Sequence, residues 1–166
     1  MSERFHQDGF NTLAGSNAAD SAAVLAVHTS VPHRVWLYEI NMGNVGTPAD
    51  LVSMYLIGQI TTVGASAGAI TATLLSDAAG QASRSVFHSN LTTEPAYVNT
   101  NTVTGLAVVA DGDLLRVPLN HRGTYRWVSS PGGEFVAPAT SDAGFGGKSD
   151  HASATTDYMI GFMWRE

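Results

Sequence analysis

The sequence predicts an all-β fold, an antiparallel sandwich or barrel. Apolar and polar residues alternate with a period of two, and short segments of this kind recur between turns rich in Gly, Asp and Pro. Such alternation puts successive side chains on opposite faces of a sheet, and regularly spaced short strands are typical of antiparallel β domains. No repeat or linker interrupts the 166 residues, so we expect a single β domain over residues 21–166.

The clearest strands come early in the chain. In VWLYEINM (35–42) the even-numbered residues, Trp36 through Met42, share one face and the odd-numbered residues share the other. The segment TPADLVSMYLIGQITT (47–62) opens with a Thr-Pro-x-Asp pattern that resembles a helix start. In the continuation one set of residues alternates with another: Val52, Met54, Leu56 and Ile60 against Ser53, Tyr55, Gln59 and Thr61. The segment ends in β-branched residues, so we predict a strand after a Thr-Pro turn.

Further strands are predicted at short spacing along the rest of the chain. In the last of them, Tyr158, Ile160, Phe162 and Trp164 fall on one face. The predicted segments are ITATLL (70–75), SRSVFHSNLT (83–92), TVTGLAVV (102–109), DLLRVPL (113–119), TYRWVSS (124–130), EFVAP (134–138) and TTDYMIGFMWRE (155–166).

The N-terminal region is the best place for a helix, because NAADSAAVLAV (17–27) is rich in alanine. The following VLAVHTSV is β-like and Pro32 comes next, so we favour a first strand there. Residues 1–20 have little to pack against and are expected to form an extended N-terminal arm. This arm either reaches a neighbouring chain or is a frayed terminus.

The composition bears on the partners of the chain. A net charge of −6 with only 13% charged residues argues against a nucleic-acid or anionic-membrane partner. The lack of cysteine excludes disulfides and cysteine-based zinc sites. MSERFHQDGF lacks the apolar stretch of a signal peptide, and LVSMYLIGQI is too short for a membrane helix, so we expect synthesis in the cytoplasm. Low surface charge fits burial against other chains, or an ordinary alanine-rich β protein.

The residue patterns of catalytic and metal sites are incomplete in this sequence. Gly147-Lys148-Ser149 imitates the end of a phosphate-binding loop, but Asp142 stands where that motif needs glycine, so we predict a mobile glycine-rich connection. The six histidines form no H-x-H or H-x-x-x-H pair, DGD (111–113) fits a tight turn, and no serine lies in G-x-S-x-G. We therefore expect no enzymatic activity, no metal and no cofactor.

NHRGTYRWVSSPGGEF (120–135) combines two arginines with aromatic residues beside a Pro-Gly-Gly turn. Single-strand nucleic-acid binders use such combinations in a basic setting, which this chain lacks. We expect instead that Tyr125 and Trp127 are core anchors of a hairpin strand. Arg126 is expected to pair across the sheet or at a subunit contact, and the role of Arg122 stays open between the same two possibilities.

Seven short motifs follow one another between residues 35 and 166: GTPAD (46–50), LLSDA (74–78), TEP (93–95), PLN (118–120), YRWV (125–128), PGGE (131–134) and PAT (138–140). In this order they resemble a family of small virion proteins of tailed bacteriophages. The order carries the resemblance, since none of the motifs is diagnostic alone. The family often has another residue where His121 stands, so the contacts at that position are expected to differ.

This resemblance implies a jelly-roll-like β domain that decorates the outer surface of a phage head as a cement protein. It also implies a homotrimer that binds the major capsid protein and stabilises the shell against packaged DNA. The expected interface lies in the N-terminal arm and in loops 62–69 and 142–152. Its expected residues are Phe5, Phe10, Arg122 and Arg126.

A receptor- or glycan-binding head domain of a tail fibre is the alternative, since jelly rolls also serve there. An exposed aromatic residue such as Tyr97 could then stack on a sugar. Such heads usually follow a trimerising stalk, and none precedes this domain in the sequence, which favours the capsid expectation.

Overall fold

The protein is all-β, as the sequence predicts, in the part of the chain that the computed structural model describes. That part consists of residues 4–13, 23–29, 33–45, 50–62, 69–70, 73–74, 85–89, 96–97, 100–102, 109–111, 113–140, 143–150 and 156–166. Fifteen strands and no helix occur within it. The strands are β1 (Arg4–Leu13), β2 (Ala23–Thr29), β3 (Val35–Val45), β4 (Val52–Thr62), β5 (Ala69–Ile70), β6 (Thr73–Leu74), β7 (Ser85–Ser89), β8 (Ala96–Tyr97), β9 (Thr100–Thr102), β10 (Val109–Asp111), β11 (Asp113–Asn120), β12 (Thr124–Val128), β13 (Phe135–Ala137), β14 (Gly144–Asp150) and β15 (Thr156–Arg165).

The strands form two large antiparallel sheets and one small one. The first sheet has the order β12-β3-β15-β1-β6, and β13 pairs with β3 on the same side as β12. The second has the order β11-β4-β14-β2-β7-β5, and β8 also pairs with β4. Strands β9 and β10 form a separate pair. Every pairing is antiparallel, which suits sheets that bury only one face.

The core lies between the two large sheets, which makes the fold a β-sandwich. The first sheet contributes Phe5, Val35, Leu37, Ile40, Met42, Ala137, Ile160, Phe162 and Trp164 to one continuous cluster, and the second contributes Tyr55, Ile57, Val117 and Phe145. Most of these side chains are fully buried. The period-two pattern of the last strand is confirmed where its side chains are described, because Ile160, Phe162 and Trp164 all face this core.

A bulge in β3 reverses its faces halfway along. Glu39 lies opposite Met163 and Leu37 opposite Trp164, so Tyr38 is the extra residue. Val35 and Leu37 point inward before the bulge, and Ile40 and Met42 point inward after it. The predicted common face of Trp36 through Met42 is therefore wrong: one inserted residue moves the side chains before it to the other face.

The glycine-rich segment near residue 146 is a strand, not the mobile connection that the sequence predicts. Residues Gly144–Asp150 form β14, which lies between β4 and β2 inside the second sheet. Gly147 faces the core, where an added Cβ would meet the Cδ1 atoms of Ile57 and Ile160, each at 3.1 Å. Glycine is thus needed for the close approach of the sheets, and residues 144–150 of the expected capsid-binding loop 142–152 are sheet interior.

The N-terminal region also differs from the expected loose arm where it is described. Residues Arg4–Leu13 form β1, which pairs along its whole length with β15 and briefly with β6. The chain therefore supplies a partner for this segment within its own first sheet. The contact of an arm with a neighbouring chain stays a prediction.

Two other segments depart from the predicted strands. The ends of TVTGLAVV belong to different strands, since Thr102 in β9 lies opposite Val109 in β10, and residues 103–108 lie outside the described part. ITATLL contributes to two short strands, β5 and β6, which belong to different sheets. Most of loop 62–69 lies outside the described residues.

Candidate functional site

The β3 bulge directs two aromatic side chains to the outer face of the first sheet. Trp36 and Tyr38 are half-buried there, on the side of the sheet away from the core. The neighbouring strands add Arg165 from β15 and Arg4 from β1. The sequence pattern placed both aromatic residues on the same face as Ile40 and Met42, so it gave no sign of this surface.

A groove of about 270 Å³ opens beside these side chains. We call it the outer-face groove, and it is lined by Arg4, Tyr38, Ser129, Pro131, Glu134 and Arg165. Ser129, Pro131 and Glu134 belong to the connection between β12 and β13. This connection packs beside β3, because the backbone amide of Ser129 donates a hydrogen bond to the carbonyl of Tyr38 at 2.8 Å.

That turn forms as its sequence predicts. The amide of Gly133 donates to the carbonyl of Ser130 at 2.8 Å, and Gly132 has a φ of 80°. Proline at the second position and glycine with positive φ at the third are the requirements of a type II turn. The turn Ser130–Gly133 therefore holds Pro131 and Glu134 at the groove.

The groove brings two guanidinium groups together with one carboxylate. Nη2 of Arg165 lies 3.0 Å from Oε1 of Glu134, and the Arg165 guanidinium carbon is 5.5 Å from the centre of the Trp36 ring. The Arg4 guanidinium lies 6.0 Å from the centre of the Tyr38 ring. Such cation–π contacts fix the direction of a guanidinium without neutralising its charge.

The hydroxyl of Tyr38 stays protonated at neutral pH. Burial raises the pKa of Tyr38, and the nearby positive charge of Arg4 only partly opposes this effect. The groove therefore contains a phenol that is able to donate a hydrogen bond.

Arg126 pairs across the sheet with Glu39, one of the two possibilities that the sequence left open. Its Nε and Nη2 donate to the two carboxylate oxygens of Glu39 at 2.7 and 3.0 Å. These hydrogen bonds lower the pKa of the Glu39 carboxyl, although its burial acts in the opposite direction. The carboxylate is thus held ionised by the neighbouring strand.

The other predicted interface residues lie in different surroundings. Phe5 is fully buried and stacks on Trp164 with ring centres 5.9 Å apart, so it has no exposed surface to offer a partner in this structure. The backbone of Phe10 lies in β1, but its side chain is outside the described part, as is that of Tyr97. Arg122 is exposed in the turn between β11 and β12, and its side chain forms no hydrogen bond or ion pair with another described residue. Of the three described side chains in this set, Phe5 lies in the core, whereas Arg122 and Arg126 are exposed.

Tyr125 and Trp127 alternate with exposed neighbours along β12, as predicted, but both are only partly buried. They pack against the edge of the core. The Trp127 ring stacks in parallel on Phe135, with ring centres 4.4 Å apart. Their position in the sheet gives both aromatic residues a structural role.

Ser53 and His121 form a buried pair that the sequence did not reveal. The Oγ of Ser53 lies 2.5 Å from Nε2 of His121, and both residues are at most 2% exposed. The amide of His121 donates to the carbonyl of Leu51, and its carbonyl accepts from the side chain of Asn44. A nucleophilic serine needs access to substrate, so this burial indicates a structural pair that anchors the turn joining the two sheets.

The first half of β4 exposes apolar side chains. Ser53 and Tyr55 face inward, and Val52 and Met54 therefore point outward with 61% and 36% of their surface exposed. With Leu51 and Pro118, which is exposed opposite Met54 on β11, they form what we call the apolar strip. Exposure alternates as predicted from Val52 to Tyr55, with Ser53 and Tyr55 as the buried residues. Farther along the strand Leu56 and Ile60 are buried as well as Ile57.

In the described part of the chain, no group of three or more His, Asp or Glu side chains is placed to hold a metal ion. No helix found among these residues has the length and hydrophobicity to cross a membrane.

Comparison of the chain with protein-family models, with curated proteins and with solved structures finds no match in any of the three.

Proposed function

We propose that this chain is a non-enzymatic structural protein of a bacteriophage virion that decorates the outer surface of the head. The order of the seven motifs supports the phage assignment. The apolar strip supports a role in binding another protein, because it exposes Val52 and Met54 on one face of β4, with exposed Leu51 directly before them. Exposed apolar patches of this kind often mark sites of protein association.

The proposed partner is the major capsid protein, and the proposed assembly is a homotrimer. A stable contact would have to bury on the order of 1,000 Å² or more, of which the apolar strip would be the centre. Three copies would engage symmetry-related capsid sites together, and this multivalency would add to the affinity of each contact. A trimer in solution would have about three times the 17.4 kDa of one chain, which light scattering would measure.

Cosedimentation with phage heads that lack this protein tests the proposal. We expect saturable binding by the wild-type chain and strongly reduced binding by a Val52→Asp/Met54→Asp variant, because a charge in the apolar strip has to be desolvated on contact. Val128→Asp is the matched control, since Val128 is also exposed, at 52%, but on β12 of the other sheet. An absence of saturable binding by the wild-type protein would refute the proposed function.

A second function, glycan recognition by a receptor-binding domain, is favoured by the outer-face groove. Arginine, tyrosine and glutamate around a concave site offer both charge and hydrogen bonds to a small polar ligand. Immunogold labelling of virions would separate the two functions, because a decoration protein lies on the head and a receptor-binding domain lies on the tail.

A further inference from the structure

The outer-face groove carries a net positive charge in a chain whose overall charge is −6. It contains the guanidinium groups of Arg4 and Arg165 and the single carboxylate of Glu134. Within the described residues, no carboxylate pairs with Arg4, which is exposed at the edge of the groove. The groove is therefore suited to a ligand with one negative charge.

Arg165 also keeps hydrogen-bonding capacity after its pairing with Glu134. Its Nη2 lies 3.0 Å from Glu134, and its Nε is buried with no hydrogen-bond partner among the described residues. An arginine side chain has five N–H donors in a planar fork. A buried donor without an acceptor is uncommon, so the protein itself leaves the Arg165 guanidinium incompletely satisfied.

The remaining lining residues favour a ligand with hydroxyl groups. The Tyr38 phenol and the Ser129 side chain each carry a hydroxyl, and Glu134 is able to accept a hydrogen bond from a ligand O–H. The same carboxylate repels a second negative charge, which disfavours a phosphate dianion. A carboxylate on a hydroxylated ring matches this combination.

We propose that the outer-face groove binds an acidic sugar of the hexuronate class. Arg4 holds the sugar carboxylate, through the two-point geometry that guanidinium and carboxylate groups share. Glu134 accepts a hydrogen bond from a ring hydroxyl, and Tyr38 and Pro131 provide the walls. The volume of about 270 Å³ is just below the range usual for drug-sized ligands, so it accommodates a single sugar unit. This proposal specifies the ligand for the proposed glycan-binding function, on which it rests, and it does not depend on capsid binding.

Titration of the full chain with glucuronate, followed by NMR or calorimetry, tests the proposal. Glucose tests the need for the carboxylate, and acetate tests the need for the ring. We expect glucuronate to bind at least tenfold more tightly than either. An oligomer of the same uronate adds information on the source of the sugar: tighter binding of the oligomer indicates a polysaccharide, and equal binding per unit indicates a small molecule.

Two variants assign the roles within the groove. Arg4→Gln should weaken glucuronate binding by about tenfold or more, because a charged hydrogen bond contributes about 1.5–3 kcal/mol. Arg122→Gln is the matched control, as it removes the same charge from an exposed turn outside the groove. Glu134→Leu should weaken glucuronate binding but strengthen acetate binding, since it removes both the hydroxyl acceptor and the repulsion.

Several outcomes would overturn the assignment. Equal affinity for glucose and glucuronate would exclude a role for the carboxylate, and full binding by Arg4→Gln would exclude Arg4. Stronger binding of both glucuronate and acetate by Glu134→Leu would indicate a simple anion site. No binding of glucuronate or its oligomer at millimolar concentration would exclude an acidic-sugar site, and the cosedimentation result would be unaffected.

Discussion

Arg126 and Glu39 form a bidentate ion pair between neighbouring strands, with one exposed and one buried partner. The Arg126 side chain is 65% exposed, whereas that of Glu39 is only 9% exposed. Arg126 lies opposite Asn41 in the register of β12 and β3, so it reaches Glu39 diagonally. Asn41 adds a longer hydrogen bond, at 3.4 Å, to the same carboxylate. A largely buried carboxylate thus depends on donors from the sheet surface for its charged form.

The ion pair predicts a pH dependence of stability. Because the pKa of Glu39 is lowered in the folded protein, its contribution is complete above the usual carboxyl pKa of about 4.3 and is lost as the pH falls through the folded-state value. We expect Arg126→Gln to be less stable than wild type at pH 7, with a difference that shrinks at pH 3. Urea unfolding at pH 7, 5 and 3 would measure it.

Arg122→Gln serves as the control for this experiment, since it removes an exposed arginine that has no ion-pair partner among the described residues. Its effect on the free energy of unfolding should be small and nearly independent of pH. A constant difference between Arg126→Gln and wild type from pH 7 to pH 3 would contradict the lowered pKa of Glu39.

A second prediction concerns the space between the sheets at Gly147. An added Cβ there would approach Ile57, Ile160 and Phe162 to between 3.1 and 3.3 Å. We expect Gly147→Ala to destabilise the protein by about 1–3 kcal/mol, because overpacking a filled core forces neighbouring side chains from their preferred rotamers. Chemical denaturation would give the change in the free energy of unfolding.

Ile57→Val provides a specific check on this steric explanation. It removes the Cδ1 atom that lies 3.1 Å from the added Cβ, so it should recover part of the stability lost in Gly147→Ala. If the losses of the two single variants simply add in the double variant, the clash with Ile57 is not the cause.

A third prediction separates the structural role of Trp127 from nucleic-acid binding. Its stacking on Phe135 should give a coupling of about 0.5–1.5 kcal/mol in a double-mutant cycle between Trp127→Ala and Phe135→Ala. We also expect no change in the affinity of Trp127→Ala for a labelled oligonucleotide, measured by fluorescence anisotropy. Loss of oligonucleotide affinity with unchanged stability would make Trp127 a binding residue.

The sequence was sufficient for features that depend on local periodicity and turn chemistry. Alternation in β12 and in the last strand reports which side chains face inward, and Pro131 with Gly132 determines the turn type. These signals lie within a few neighbouring residues. They therefore predicted the all-β class, the turn Ser130–Gly133 and the core positions of Ile160 to Trp164. The predicted hairpin is wrong, because β12 and β13 follow one another along the same side of β3 instead of pairing with each other.

The candidate groove depends on a feature that periodicity does not reveal. The bulge at Tyr38 is defined by the pairing of β3 with β15, more than a hundred residues away in the sequence, and it alone moves Trp36 to the outer face. Similarly, the sequence predicts a loop around Gly147, because the segment is rich in glycine. The requirement for glycine comes from Ile57 on the neighbouring strand β4 and from Ile160 in the opposite sheet.

The fourth prediction tests the structural role of Ser53 and His121. Ser53→Ala should lower the free energy of unfolding by about 1–3 kcal/mol, since it removes a hydrogen-bond partner of a buried imidazole. Ser130→Ala, at an exposed serine of the β12–β13 turn, should change the free energy of unfolding by less than about 0.5 kcal/mol.

Because Ser53 is only 2% exposed, a fluorophosphonate probe should not label it in the folded protein. Labelling that disappears in Ser53→Ala, together with hydrolysis of a test ester, would instead make this pair a catalytic dyad.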